Sequence, residues 1–379
     1  MTESAAPPSG GRREATPTPQ AFWTTFLLLF VVIAVLFSLD SVLARIDRDE
    51  SRSAAASLYR EGRELAAAGD FREAVDRFRS AVFTVRGNRE YQLALGEALV
   101  GAGKPTDAEI PLAELLQRDA TWGPANLAMA RTLVAEDRLQ GATSYYHRAI
   151  YGKWDSVAAE RRVAARFELI QLLVDHDSRA DLLAELLPLL GEAPDSVAIR
   201  RRLGHLFVLA GSPDRATTIF QQMLREDPAD ADAHAGLAEA SFARGNYRSA
   251  RSSWLTAGRL APGDTIVPGR LALVDQILSL DPSQRGIGST EQFRRSRILL
   301  ELASGQLRGC APGGGPAAAD LLDSARVGLE RRVRSWEERE ATEANLDLAE
   351  RVWQVRETGC AVPAAADDPV ALVLARLAQ

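Results

Sequence analysis

Alanines recur at a fixed interval of 34 residues along this chain, and that interval restricts the fold more than any other feature of the sequence. Ala74, Ala108 and Ala142 are each 34 apart, in Gly-Asp-Phe-Arg-Glu-Ala (69–74), Gly-Lys-Pro-Thr-Asp-Ala (103–108) and Asp-Arg-Leu-Gln-Gly-Ala (137–142). Ala216 and Ala250 repeat the interval in Gly-Ser-Pro-Asp-Arg-Ala and Gly-Asn-Tyr-Arg-Ser-Ala. Such a period implies one supersecondary unit stacked on its own copies, because no single copy can bury its apolar face alone. The composition, 46% hydrophobic but only 6% aromatic, suits Ala- and Leu-rich helix packing over the aromatic and β-branched residues that sheets prefer.

Other positions keep the same register. A small residue falls at Gly62, Gly96, Ala130, Gly204 and Ala238, and a turn residue at Gly69, Gly103, Asp137, Gly211 and Gly245. Bulky residues fall at Phe78, Leu112, Tyr146, Phe220 and Trp254, and closing prolines at Pro228 and Pro262. With this pattern the chain closely resembles the tetratricopeptide repeat family. The resemblance implies helical hairpins in which small residues let two helices approach and a bulky residue fills the gap to the neighbour. Six repeats are expected over 55–264. The fourth, at 163–196, is degenerate: Leu182 takes the alanine position, and extra residues lie near Tyr151 to Arg162.

In this family ligands lie in a concave groove lined by the first helix of each hairpin. Register carries that groove onto Arg63, Glu97, Arg131, Gln171, His205 and Glu239 in one row. Tyr59, Leu93, Leu127, Phe167 and Arg201 belong to a second row, and Phe242 to a third. An apolar floor with alternating charges suits a peptide or helix of mixed side chains. Some of the apolar positions have packing between repeats as their alternative role. The family's carboxylate-clamp subtype needs Lys and Asn at set groove positions; these are absent, so a receptor for chaperone tails is not expected.

Ahead of the repeats, Phe22 to Leu39 (FWTTFLLLFVVIAVLFSL) carries no charge. At about 1.5 Å per residue it covers roughly 27 Å, enough for the hydrocarbon core. A transmembrane helix over 22–39 is the expectation. A secretory signal cleaved after Ala44 is the alternative, although apolar cores of signals run to about 7–15 residues. Residues 1–21, rich in Pro, Ser, Thr and Gly, are expected to be a disordered tail, and 40–54 a linker helix.

After the repeats, 265–379 is expected to form a C-terminal helical module. Ile266 to Leu280 and about 290–305 read as helices, followed by a Gly-rich connector around Gly309 to Gly315. A start signal at Ser335-Trp336-Glu337-Glu338 would fold the next stretch back as two antiparallel helices and bring Cys310 to Cys360. A Cys310–Cys360 disulfide is therefore expected; two free thiols are the alternative. The arginines flanking the apolar segment favour a cytoplasmic body, whereas a disulfide requires an oxidising compartment. The disulfide tips the expectation to the periplasmic side of a bacterial inner membrane.

Nothing points to catalysis. The net charge of −6 has no basic block, so nucleic acid is not an expected partner. His147, His176, His205 and His234 are spaced by 29. Against a 34-residue repeat that interval turns each to a different position, so no shared metal is expected. No cofactor motif is present. The fold expectation is all-α: a tetratricopeptide-like solenoid with one N-terminal transmembrane helix and a C-terminal helical module. The function expected is a scaffold or assembly factor that binds membrane-associated proteins. A permanent accessory subunit of a membrane complex is the alternative, and an enzyme with an unfamiliar site is the least favoured.

Overall fold

A computed structural model describes residues 19–155, 157–310 and 315–378. The tail expected over 1–21 lies, up to residue 18, outside the described residues, and residues 19–21 already belong to the first helix. Among the described residues the regular structure is 17 α-helices. The chain divides after Ala165 into two compact units, each described by itself.

The first unit holds three hairpins: α1 (Pro19–Ala68) with α2 (Phe71–Thr84), α3 (Arg89–Gly101) with α4 (Pro105–Arg118), and α5 (Gly123–Ala135) with α6 (Leu139–Ile150). Helix α7 (Ala158–Asp175) spans the division. The second unit continues with α8 (Arg179–Glu192), α9 (Val197–Leu209), α10 (Pro213–Glu226), α11 (Ala231–Ala243) and α12 (Tyr247–Leu260). It ends with α13 (Val267–Leu280), α14 (Ser289–Cys310), α15 (Gly315–Glu330), α16 (Glu338–Gly359) and α17 (Pro369–Leu377).

Each hairpin turn is built in the same way. Gly69, Gly103, Asp137, Asp177, Gly211 and Gly245 all have positive φ, from 50° to 88°. The residue that follows each of them donates back across the turn, as in Lys104 N to Leu99 O at 2.9 Å and Ser212 N to Phe207 O at 2.8 Å. This is the six-to-one bond of a Schellman ending, and it satisfies carbonyls the helix would otherwise orphan. Asp177 lies 34 residues before Gly211, so the degenerate fourth repeat keeps the turn although it lost the glycine. Three of the first helices start on side-chain caps: Asn88, Ser196 and Asp230 accept from backbone N–H groups two or three residues on.

Bulky residues of the second helices sit directly on the small residues of the first. A Cβ added to Gly62 would lie 2.7 Å from Phe78, one at Gly96 2.7 Å from Leu112, and one at Gly204 2.5 Å from Phe220. Phe220 also bears on the next hairpin, 2.2 Å from a Cβ at Gly236. Where the fourth repeat departs from the pattern, Ile170 stands in the small-residue register and Leu186 in the bulky one, and both are fully buried. Beside them Arg166 is buried with Glu185 at 2.7 Å and Glu192 at 3.2 Å.

The linker helix expected over 40–54 is not a separate element. Helix α1 runs without a break from Pro19 into the first hairpin, 50 residues in all, about 75 Å of helix. In the C-terminal module α14 and α16 run parallel, as Ser289 Oγ donates to Glu338 at 3.0 Å and Asn345 Nδ2 to Ser296 Oγ at 3.1 Å. The return occurs through α15, and the fold-back falls at 331–337, with α16 starting at Glu338. Helix α14 extends to Cys310, beyond the expected 305, and residues 311–314 of the Gly-rich connector lie outside the described residues. Ser335 does not cap α16; Glu337 instead accepts from the Arg334 backbone N–H at 3.0 Å. Cys360, at the end of α16, is disulfide-bonded. The sequence has one other cysteine, Cys310, whose side chain lies outside the described ones.

Gly204→Ala is expected to lower stability by about 1–3 kcal/mol, because the added methyl overpacks against Phe220. Gly191→Ala, in α8 with nothing within 4 Å of the new methyl, is expected to gain up to about 1 kcal/mol from helix propensity. Urea unfolding midpoints of the two variants, followed by circular dichroism, check the pair; equal shifts of one sign would remove the close-packing explanation.

Candidate partner-binding groove

In the first unit five of the six expected groove residues come together. Arg63, Leu93, Glu97, Leu127 and Arg131 line one cleft of about 270 Å³. Their helices α1, α3 and α5 are the first members of three consecutive hairpins, so residues one repeat apart are neighbours. Tyr59 does something else: its ring packs 5.7 Å from Phe78 and 4.9 Å from Tyr91, inside the hairpin core.

Glu97 stands at the centre of this charge pattern. Glu97 stays exposed to solvent along the cleft, yet crowding by the surrounding walls desolvates its carboxyl and raises its pKa, and the guanidinium groups of Arg131, Arg63 and Arg161 pull it partly back. The row Arg63, Glu97, Arg131 thus alternates in sign, and each member answers its neighbour.

The remaining wall was not legible in the register. Trp122, Pro124, Trp154, Asp155 and Arg161 line the same cleft; Trp154 and Asp155 come from the segment between the third hairpin and α7, and Arg161 from the first turn of α7. That segment docks by a short backbone bridge: Lys153 N donates to Thr121 O at 2.7 Å, and Gly123 N to Lys153 O at 2.8 Å. The Trp154 indole lies against Gly123, where a Cβ would come within 2.5 Å, and donates its N–H to Ala149 O at 2.9 Å. Arg89 ties the end down, bonding Asp155 at 3.1 Å while its guanidinium lies 4.8 Å from the Trp122 ring. The Trp122 indole N–H is buried without a hydrogen-bond partner. The sequence signal available was a six-residue surplus over two periods, holding Gly152 and Trp154.

In the second unit the expected residues are placed but largely engaged. His205 Nδ1 lies 3.0 Å from Glu239, one repeat away. Arg201 bonds Asp230 at 3.1 Å and Asp232 at 3.4 Å, and Gln171 donates to Asp175 at 2.9 Å. Phe167 lies under the Arg202 guanidinium at 4.3 Å. Phe242 packs edge-on to Tyr247 at 5.3 Å and near Trp254 at 5.7 Å, in the unit's apolar core. His234 contacts the Pro228 carbonyl at 3.1 Å rather than another histidine. Among the described residues no group of three or more His, Cys, Asp and Glu converges on a common point.

Comparison with known proteins agrees with this architecture. The sequence profile of the tetratricopeptide repeat matches residues 59–122 and 207–265. Among curated proteins, cingulin from Sorex araneus is 27% identical over 215 residues, 54% of this chain; the match spans only 17% of that protein's length. Among solved structures, the C-terminal part of a repeat protein from Cytophaga hutchinsonii is 12% identical, with 64% of this chain and 95% of that chain covered and a TM-score of 0.45. For PilF of Pseudomonas aeruginosa the identity is 16%, the coverage 59% and 98%, and the TM-score 0.41. YrrB, described as having an unusual peptide-binding site, is 16% identical, covering 51% and 96%, with a TM-score of 0.40. Such scores are too low to transfer a ligand or a role.

A carboxyl whose folded pKa is raised holds its proton more tightly when folded. Its contribution to stability is complete below the ordinary value of 4.5 and falls as pH rises through the folded pKa. Glu97→Gln, which mimics the protonated form, is therefore expected to gain on the parent as pH rises from 4.5 through the folded pKa, and then to hold a constant lead. Unfolding midpoints of both proteins between pH 4 and 8 test this. A gap that narrows with pH would mean the arginines outweigh burial.

Proposed function

We propose that this chain, which belongs to the tetratricopeptide repeat family, is a membrane-anchored scaffold whose first-unit cleft holds segments of partner proteins. Repeat proteins of this family act as platforms for protein interaction. The observation that carries the reading here is the cleft: Leu93, Leu127, Trp122 and Trp154 supply an apolar floor among Arg63, Glu97, Arg131 and Arg161. A short peptide with apolar and charged side chains fits that mixture, since exposed apolar surface gives affinity and the flanking charges set orientation.

Anchoring is supported by α1. Its large apolar residues from Phe26 to Leu39 are 49% to 74% exposed, and the segment is long and apolar enough to cross a membrane. The candidate cleavage site Val42-Leu43-Ala44 lies within the unbroken helix, which favours the uncleaved anchor. The disulfide at Cys360 favours an oxidising compartment, hence a body on the periplasmic side of a bacterial inner membrane, with Cys310 as its partner.

Purification of the full chain in mild detergent, with mass spectrometry of co-purifying proteins, tests the scaffold. Arg63→Glu with Arg161→Glu is expected to reduce recovery of partners several-fold at a temperature where circular dichroism shows both proteins folded; unchanged recovery would move the binding surface elsewhere. A single complex at fixed stoichiometry would identify an accessory subunit instead. Alkylation of the unreduced native protein, read by mass, is expected to leave both cysteines unlabelled. Two labels would remove the support for the periplasm.

A further inference from the structure

Away from the cleft, the second unit contains a cavity of about 300 Å³ whose walls offer more donors than acceptors. It lies where the N-terminus of α12 meets the end of α13 and the C-terminal helix α17. Three arginines line it, Arg248, Arg285 and Arg376, against one carboxylate, Asp281. That carboxylate is committed: it is buried, and it accepts from Arg376, from the Ser283 hydroxyl at 2.8 Å and from the Ser283 backbone N–H at 2.9 Å. Arg248 bonds only neutral acceptors, the Arg285 carbonyl at 2.8 Å and the Gln284 side chain at 3.4 Å. The Arg285 guanidinium is exposed at the rim. Two positive charges therefore face this space without a carboxylate of their own.

The donors here extend beyond the arginines. Asn246, at the N-cap of α12, makes no side-chain bond to the helix, so the first N–H groups of a 14-residue helix open on the cavity together with the positive end of its dipole. The Arg376 Nε is buried without an acceptor. Tyr247 lines the cavity and is only 5% exposed. Its phenol is pushed up first by burial, and it lies within the fields of Arg376 and Asp281 without a hydrogen bond to either. A phenol whose ring is buried, a buried guanidinium N–H and a helix N-terminus thus converge on one space, and none of the three has an acceptor there.

We propose that this cavity binds a phosphate group, with Arg248 and Arg285 supplying charge and the α12 N-terminus and Arg376 supplying directed donors. A tetrahedral oxyanion satisfies several convergent N–H and O–H donors at once, which water does less well and a cation not at all. The site is separate from the partner cleft and does not rest on it. Because Arg376 belongs to α17 while Arg248 lies in the first turn of α12 and Arg285 follows α13, an occupied site would join the terminal helix to the last full hairpin.

Calorimetric titration of the detergent-solubilised full chain with inorganic phosphate, at constant ionic strength set by chloride, tests the proposal. Saturable binding of one phosphate per chain is expected, weakened at least tenfold by Arg285→Ala and by Arg248→Ala. Arg161→Ala, in the other unit, is expected to leave it unchanged. Phosphoserine titrated in parallel identifies the source: tighter binding than inorganic phosphate assigns a phosphomonoester, and weaker binding a free ion. Absence of saturable binding, or equal binding by the Arg285→Ala protein, overturns the site.

Discussion

Between the two helices of each of the six repeats one residue takes a positive φ, and the residue after it closes a hydrogen bond back across the turn. That device ends the first helix at a fixed point, so the second always starts in the same phase. Once the phase is fixed, the bulky residue of the second helix falls over the small residue of the first, as Phe78 does over Gly62 and Phe220 over Gly204. The interval of 34 residues follows from this geometry. A turn one residue longer would rotate the second helix by about 100° and lift the bulky side chain off its seat. Asp137 and Asp177 adopt the left-handed conformation without being glycine, at some conformational cost; the bond across the turn and the packing below offset it.

Stacking such hairpins makes residues one period apart into neighbours, and this governs the electrostatics of the groove. Arg63, Glu97 and Arg131 alternate in sign, and in the second unit the His205 imidazole lies 3.0 Å from Glu239. A row of like charges at those positions would repel along the whole face; alternation instead lets the array compensate its own charge. Such a surface offers a partner little net field. Its selectivity then depends on features that break the period, and the clearest is the docked segment carrying Trp154 and Asp155. There the repeat adds a wall to the cleft, fixed by backbone bonds to Thr121 and Gly123.

The fold was legible because its determinants are local and periodic. The turn residues, the alanines and the small and bulky positions could be counted directly, and the weak fourth repeat was found by its spacing. What the spacing could not supply was the direction of particular side chains. Tyr59 shares a row with the cleft residues Leu93 and Leu127, and Phe242 falls on the expected groove by register, yet their rings turn into the core against Tyr91 and Tyr247, because large aromatics gain more from burial than from lining an open face. The wall built by Trp122 and Trp154 depends on a non-repeated loop meeting a distant turn, a contact between elements that no period encodes. The C-terminal module lies between these cases. Its fold-back was foreseen, but the break at 331–337 contains no proline or glycine, so sequence located it only approximately.

Helix α1 links the apolar segment to the array in a way the separate expectations of anchor, linker and first repeat did not capture. From Gln20 to Glu61 it contains no proline and no glycine, the residues at which helices usually kink. Its middle, from Asp40 to Arg52, mixes acidic and basic residues, among them Asp49 and Arg52 at 3.6 Å; such pairs add local support to a stretch of helix whose Val42, Leu43 and Ile46 stay exposed. With the segment to Leu39 held in a bilayer, Ala55, the first buried residue of the array, stands about 24 Å of helix further along. The first hairpin then cannot tumble freely beneath its anchor. On the proposed anchoring its orientation would be set by α1, and the cleft begun by Arg63, two turns beyond Ala55, would take its direction from the same rod.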